Sequence, residues 1–301
     1  PGRHVIVLER QQRVGRKLLA TGNGRCNLTN TGAAPGNYHG ELPEFARGVL
    51  ERFTPQDTLD FFHSLGLITI TEYGGRVYPL SNSANSVVDV LRFALERAGV
   101  ELRCSTSARE IVRRDGGYTV RTDGGDILAD WLIVACGGAA GAKLGGVMDG
   151  YELLKPLGHK RTKLFPSLVQ ITTEPEYPRA LKGVRADAAV ELVCGGEVLA
   201  ESGGELQFTE TGVSGPAAFD ISRSVSSGGD GLSLRIDFLR GYGSGEVLTM
   251  LEARRSALPG LESAELFTGM LHNRLGRMLV KYAGLDARSP LKVLDSGALH
   301  R

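Results

Sequence analysis

Residues 4–30 read HVIVLERQQRVGRKLLATGNGRCNLTN, an apolar run followed by a run rich in glycine and cations. Residues 4–9 hold an apolar run bounded by His4 and Glu9, as expected of a parallel strand buried on both faces. In doubly wound nucleotide-binding folds, an acid at the end of the second strand accepts hydrogen bonds from the adenosine ribose. The stretch therefore predicts a nucleotide cradle in which Glu9 binds the ribose.

The glycine-rich run at residues 15–30 has three features that suit a phosphate-rich cofactor. Its glycines allow close backbone approach, its cations can offset pyrophosphate charge, and its small polar side chains can orient backbone or ring edges. The cations are Arg16, Lys17 and Arg25, and the polar side chains are Asn23, Asn27 and Thr29. Taken alone, such a run is equally typical of a solvated turn, so composition leaves both interpretations open.

The four cysteines are widely spaced and form no CxxC pair; they are Cys26, Cys104, Cys136 and Cys194. They indicate neither a zinc site nor a disulfide framework, and we predict no metal. Cys26 stands in the glycine-rich run without a second cysteine, so a dithiol relay is not expected. We predict that Cys26 is a small buried side chain near the cofactor.

The rest of the sequence alternates helical and strand patterns. Before residue 160 we predict helices at 41–51, 55–65 and 86–98, a hairpin at 68–78, strands of a meander at 101–104, 108–113, 118–121 and 126–128, and a buried strand at 131–138. Thr54 can cap the second helix, and Gly99 can end the third. From about residue 164, strands at 167–172, 188–194, 197–200 and 232–238 predict a compact β domain, with helices starting at Pro216 and at 247–258 and 261–282.

Several blocks of the sequence are similar to motifs of the BaiN/YhiN/RdsA family of FAD-dependent oxidoreductases, which includes aminoacetone-oxidase-like members. The blocks keep the order of the family motifs and extend over nearly the whole chain. They are Glu9 with residues 14–17 and 21–27, then residues 75–79, 81–86, 132–138, 149–151, 158–159, 166–169, 204–208 and 212–216. Residues 141–148 depart from the family pattern, so the resemblance assigns no cofactor contact to that loop.

The resemblance implies an α/β fold of the doubly wound, Rossmann-like, two-dinucleotide-domain type with an inserted, mainly β domain plus helices. Residues 1–160 would form the FAD-binding domain, and residues 161–295 the inserted β-rich and helical substrate domain. No first strand or GxGxxG loop precedes Glu9, and Pro1 is not an initiator methionine. We therefore expect the sequence to start inside the fold, and to stop before the C-terminal return to the FAD domain.

The resemblance also assigns cofactor-binding residues. Glu9 would bind the ribose, while Arg16 and Lys17 would meet the phosphate region. The flavin side would be met by Gly22, Asn23, Gly24, Arg25, Cys26 and Asn27, and backbone near the adenine would come from Ala108 and Gly137. No catalytic residue is assigned, because the six histidines fit helix-face or loop positions. The sequence also lacks the GxSxG motif that would indicate a serine hydrolase.

The function implied by the resemblance is transfer of hydride equivalents between FAD and a small organic substrate (an enone, ketone or amine), with NAD(P)H or oxygen as partner. An alternative is a truncated, non-catalytic nucleotide-binding fragment, because the glycine loop that normally receives pyrophosphate is not found. A third possibility, NAD binding without flavin, is less favoured because the cationic run after Glu9 is longer than a simple dehydrogenase places there.

Composition argues against a nucleic-acid-binding or membrane protein. The 301 residues are enough for two or more domains. With 35 basic and 34 acidic residues the net charge is +1, so we expect no nucleic-acid partner and no membrane surface partner. No run approaches the roughly 18 consecutive apolar residues that span a bilayer. Together with the cysteine pattern, this predicts a cytoplasmic protein.

Overall fold

The computed structural model describes residues 2–300, and the chain divides into two compact units, Pro1–Thr162 and Lys163–Arg301. The first unit mixes short strands with helices. Its strands are β1 (Ile6–Leu8), β2 (Thr29–Asn30), β3 (Thr69–Thr71), β4 (Arg76–Pro79), β5 (Glu101–Arg103), β6 (Ala108–Arg114), β7 (Gly117–Thr122) and β8 (Gly125–Ala129). Its helices are α1 (Arg16–Ala20), α2 (Glu44–Arg52), α3 (Pro55–Ser64), α4 (Ala84–Arg97) and α5 (Asp149–Leu154).

A parallel pair, β1 and β5, positions the acid that follows β1. Val7 pairs with Leu102, and the backbone N–H of Glu9 donates to the carbonyl of Arg103 at 2.9 Å. A parallel pair needs a long crossover between its strands, and here residues 9–100 supply it. Glu9 therefore stands at the carboxyl end of a parallel strand, where α/β folds bind their ligands.

Helix α1 packs on α4 through a close glycine contact. Gly15 precedes α1 with φ of +79°, and a Cβ there would lie 2.8 Å from a methyl carbon of Val88. The core beneath holds Cys26, Ala84 and Val87, all at most 2% exposed. The buried position predicted for Cys26 is therefore confirmed.

Two small antiparallel sheets complete the first unit, one in the order β2-β4-β3 and the other β6-β7-β8. The predicted hairpin is confirmed, and both of its turn glycines, Gly74 and Gly75, have φ of +76°. The predicted meander is also present in β6, β7 and β8, whereas residues 101–103 pair with β1 instead. The capping role of Thr54 is confirmed, because its hydroxyl accepts from Asp57 N at 3.2 Å.

The buried strand predicted at residues 131–138 is wrong. These residues are extended but join no ladder within residues 2–300, and Trp131 and Ile133 are 77% and 89% exposed. Alternating Leu132 and Val134 are half-buried, so one side of the segment packs and the other faces solvent. The apolar pattern was correct for a strand, but a strand also needs hydrogen-bonded neighbours, and the described chain places none beside it.

The second unit is built on one antiparallel sheet. Its strands are β9 (Ile171–Thr172), β10 (Arg185–Cys194), β11 (Glu197–Phe208), β12 (Gly212–Ser214) and β13 (Leu232–Asp237), in the spatial order β13-β10-β11-β12-β9. Its helices are α6 (Glu176–Ala180), α7 (Pro216–Ser227), α8 (Ser244–Ala257), α9 (Asn273–Tyr282) and α10 (Ser296–His300). Helix α7 packs on the sheet, where Leu192, Leu206 and Ile221 are at most 1% exposed.

Several predicted elements of this unit have different bounds, and the strand predicted at 167–172 is reduced to Ile171–Thr172. Strand β11 continues to Phe208 because its residues keep pairing with β10 as far as Gln207, which lies opposite Arg185. Within it, a Cβ on Gly203 would lie 2.5 Å from the Arg240 Nη1 atom. The predicted helix at 261–282 begins only at Asn273, where the ring of His272 accepts from the backbone of Arg274 at 3.2 Å. Helical periodicity alone does not reveal such an interior start.

Candidate functional site

Glu9 is held by three backbone contacts at the end of β1. Its N–H donates to Arg103 O, its carbonyl accepts from Thr106 N at 3.1 Å, and its carboxylate Oε1 accepts from Gln11 N at 2.7 Å. Within residues 2–300, Oε2 has no hydrogen-bond partner. A half-buried carboxylate with one oxygen fixed and one open is suited to accept from a vicinal hydroxyl pair such as that of a ribose.

Three exposed cations that follow Glu9 all donate to backbone carbonyls of one loop, residues 139–146. The donations are Arg10 Nη2 to Gly145 O (2.9 Å), Arg16 Nη2 to Lys143 O (3.2 Å) and Lys17 Nζ to Ala140 O (2.9 Å). Arg10 also lies 3.4 Å from the carboxylate of Asp149. We call these three side chains the cation cluster. They meet neutral acceptors and one carboxylate, so they keep an excess of positive charge.

A glycine pair, Gly137 and Gly138, comes directly before this loop. Gly137 has φ of +75°, and a Cβ there would lie 3.9 Å from Lys17 Nζ. A Cβ on Gly138 would lie 2.8 Å from the Tyr151 hydroxyl. The loop closes at Gly146, whose Cβ would overlap the carbonyl oxygen of Ala140. Backbone is therefore exposed close to the cations; the predicted contact of Gly137 with the adenine side of a cofactor stays a prediction.

The segment 21–27 is a second group of predicted residues, with an unusual backbone. Positive φ values occur at Gly22 (+55°), Asn23 (+56°), Gly24 (+84°) and Cys26 (+62°). Left-handed conformations at non-glycine residues are costly and need support from their surroundings. Burial supplies it for Cys26 and raises the pKa of its thiol, while a hydrogen bond with Thr21 opposes that shift.

Arg25 is fixed by Tyr78 and Glu72. Its guanidinium carbon lies 3.8 Å from the centroid of the Tyr78 ring, and its Nη2 donates to Glu72 Oε1 at 2.5 Å. Its Nε is buried and has no partner within residues 2–300. A buried donor without an acceptor is unfavourable by about 1–3 kcal/mol. This donor is the clearest sign that the segment accommodates a further acceptor.

Other predicted residues have structural partners. The amide of Asn27, oriented to satisfy both of its groups, donates to Thr29 O at 2.9 Å and to Val77 O at 3.3 Å, and so ties the segment to β4. Ala108 begins β6 opposite Thr122, two residues after the amide that bonds to Glu9. The structure thus forms one group around Glu9, the cation cluster and Gly137, and another around Arg25.

Sequence reasoning missed several side chains of these groups. They are Arg10, Gln11, Glu72, Tyr78 and Asp149. Arg10 and Gln11 follow Glu9 directly, so adjacency could have indicated them. Glu72 and Tyr78 lie in or beside the block at 75–79, but only the hairpin register brings them to Arg25.

A family model, the HI0933-like protein Rossmann domain, matches residues 1–268. The chain is 38% identical to a 3-dehydro-bile acid delta(4,6)-reductase of Clostridium scindens, over 96% of this chain and 71% of that protein. It is 31% identical to a ribosomal RNA dihydrouridine synthase of Escherichia coli K12, over 73% of this chain and 55% of that protein. The Haemophilus influenzae protein of the same name is 27% identical over the same shares.

The similarity to solved structures is weaker than the similarity in sequence. The open conformation of a flavocytochrome c3 fumarate reductase aligns with a TM-score of 0.35 at 16% identity, over 61% of this chain and 46% of that chain, which is too low to support an argument. In the described part of the chain, no helix has the length and apolar character needed to cross a membrane. The family match confirms both the resemblance seen in the motifs and the Rossmann-type α/β fold. The chain belongs to the HI0933-like Rossmann-domain family.

Proposed function

We propose that this chain forms part of an FAD-dependent oxidoreductase that transfers hydride equivalents between the flavin and a small organic substrate, with NAD(P)H or oxygen as partner. The observation that carries the proposal is that Glu9 and the cation cluster occur together after the end of β1. An acid with one open oxygen beside three exposed cations suits a ribose followed by a diphosphate.

The residues fit this cofactor in defined roles. Glu9 would accept from the ribose hydroxyls, and Arg16 and Lys17 would offset the phosphate charge. The unpartnered Nε of Arg25 would donate to a polar atom on the flavin side of the cofactor. The bound flavin supplies reversible two-electron chemistry, and the protein supplies position and electrostatics.

The names of two relatives favour a reduction. One is a reductase of a bile-acid derivative, and the other makes dihydrouridine in ribosomal RNA. From these names we propose a substrate with a double bond activated by a neighbouring carbonyl, which narrows the substrate class to enones. We propose a small molecule rather than RNA because the charges of the chain are balanced at +1. The chain spans 71% and 55% of these relatives, so the activity of the whole protein is itself part of the proposal.

The first experiment is a visible spectrum of the purified chain, both as given and extended at each end to the length of its relatives. Flavin absorbance in either form supports the proposal, and its absence from both overturns it. If the extended protein retains FAD but reduces no enone anaerobically, the non-catalytic nucleotide-binding alternative is favoured. A thermal shift with NAD alone and none with FAD would indicate the third possibility.

The second experiment is FAD titration followed by flavin fluorescence. Glu9→Ala is expected to weaken binding by about tenfold, because it removes hydrogen bonds to a charged acceptor. Glu191→Ala is the matched control, since Glu191 pairs with Arg235 on the sheet of the second unit, which contains none of the predicted cofactor-binding residues. Equal affinity of the two variants would contradict the ribose-binding role.

A further inference from the structure

The cation cluster is already occupied by part of its own chain. Each of its three side chains bonds to a different carbonyl of loop 139–146, and within residues 2–300 only Arg10 also pairs with a carboxylate, Asp149. Arg16 and Lys17 meet only neutral oxygen atoms there. A neutral carbonyl carries a partial charge, so a group with full negative charge would be attracted to the same donors more strongly.

We infer that loop 139–146 is an internal placeholder in an anion site, and that a diphosphate group displaces it. The three carbonyl oxygens stand where diphosphate oxygens would be bound, and the ligand exchanges with them on the same donors. The inference rests on the proposed function only in taking the diphosphate of the cofactor as the natural anion. The exchange breaks no covalent bond.

The exposure and the glycines of loop 139–146 allow it to move away from the cation cluster. Its residues are mostly exposed, so water can take over the carbonyls that the cations release. Gly141 and Gly145 have φ of +70° and +93°, and glycine has access to other backbone regions at little cost. The turn is closed by its own hydrogen bonds, among them Leu144 N to Gly141 O at 2.8 Å. It can therefore move as a unit.

Displacement predicts that loop and anion compete. Weakening the loop should then tighten anion binding, because a larger fraction of molecules has its cations available. If the loop instead supported the anion, weakening it would loosen binding. The two models thus predict opposite changes in the Kd of the anion when the loop is weakened.

Gly146→Ala is the variant that makes this distinction. Its new Cβ would overlap the carbonyl oxygen of Ala140, the acceptor of Lys17, and push it away. Inorganic pyrophosphate is the probe, titrated by calorimetry into the 301-residue chain. We expect its Kd to fall by roughly threefold or more. Gly124→Ala is the control, because a Cβ there has no contact closer than 3.7 Å and φ is not positive. An unchanged or higher Kd in Gly146→Ala overturns the inference.

A second measurement needs no variant in the loop. Tryptic cleavage after Lys143, an exposed residue of the loop, should become faster in the unaltered chain when pyrophosphate binds, since the loop is released from the cations. Slower or unchanged cleavage at Lys143, or no pyrophosphate binding at millimolar concentration, overturns the inference. Lys17→Gln should weaken pyrophosphate binding by about tenfold, whereas Arg121→Gln should not change it.

The two proposals fail separately. Pyrophosphate that releases the loop in a protein that never retains flavin would contradict the proposed function and leave the displacement intact. If the protein retains flavin but the loop stays in place when pyrophosphate is added, the displacement is contradicted and the proposed function stands.

Discussion

The guanidinium of Arg25 lies over the ring of Tyr78, with 3.8 Å between its carbon and the ring centroid. This contact joins the left-handed segment 21–27 to β4, and Glu72 fixes it from the end of β3. The Tyr78 ring also faces Gly22, since a Cβ there would lie 2.9 Å from a ring carbon. One aromatic side chain thus sets the position of both a cation and a glycine.

The Arg25–Tyr78 contact gives the first prediction. Arg25→Lys should lower the free energy of unfolding by about 1–2 kcal/mol, because an ammonium cannot both cover the ring and reach Glu72 in the same way. Urea denaturation measures the change. Tyr78→Phe keeps the ring and should stay close to the unaltered chain. A Tyr78→Phe loss as large as that of Arg25→Lys would assign the stabilisation to the hydroxyl instead.

The second prediction separates backbone strain from steric overlap at two glycines of segment 21–27. Gly22→Ala and Gly24→Ala both place a side chain at positive φ, +55° and +84°. Only Gly22 is crowded, by the ring of Tyr78 and the backbone N of Asn27, both at 2.9 Å; at Gly24 the nearest atom is 3.9 Å away. Gly22→Ala should therefore be the more destabilising by at least about 1 kcal/mol in urea unfolding. Equal losses would mean that the segment shifts to accommodate the methyl group.

Cys26 gives a prediction about pH. Burial holds the pKa of its thiol above the ordinary value of 9.0, although a hydrogen bond with Thr21 opposes this. The folded state then binds the proton more tightly than the unfolded state, so this contribution to stability is complete below pH 9 and is lost as pH rises through the folded pKa. The difference in unfolding free energy between the unaltered chain and Cys26→Ala should narrow above pH 9. A constant difference would contradict the shift.

The thiol reagent DTNB checks the same site independently. Exposed Cys136 should react first, and buried Cys26 only after denaturation.

Trp131 gives a spectroscopic prediction, because it is the single tryptophan of the chain and is 77% exposed. Its fluorescence should resemble that of indole in water and should be quenched by acrylamide nearly as well as in denatured protein. A blue-shifted, protected emission would show that residues 131–138 are covered. The same measurement on a chain extended to the length of its relatives compares this segment in the two contexts.

Local signals allowed much of the fold to be predicted. Thr54 and Asp57 form a capping box, and Gly74 and Gly75 form a turn at positive φ; both depend on residues that are neighbours in sequence. The family and the Rossmann-type fold followed from motifs of the same short range. The strand predicted at 131–138 failed because a ladder requires neighbours that an apolar pattern does not specify.

The site was less accessible to sequence reasoning for a related reason. Cations after Glu9 suggested phosphate, but Lys17 meets a carbonyl 123 residues later in the chain. The partner of Arg25 is 47 residues away and is set by hairpin register. Residue types can indicate which chemistry is present, whereas tertiary contacts decide which partner each group has in the folded chain.

The exposed segment around Ile133 has a practical consequence for handling the protein. Its backbone belongs to no ladder within residues 2–300, and bulky apolar side chains flank it, which is the arrangement that templates pairing with another chain. Self-association at high concentration is therefore the hazard to control during purification, and a lysine in place of Ile133 is the simplest way to reduce it.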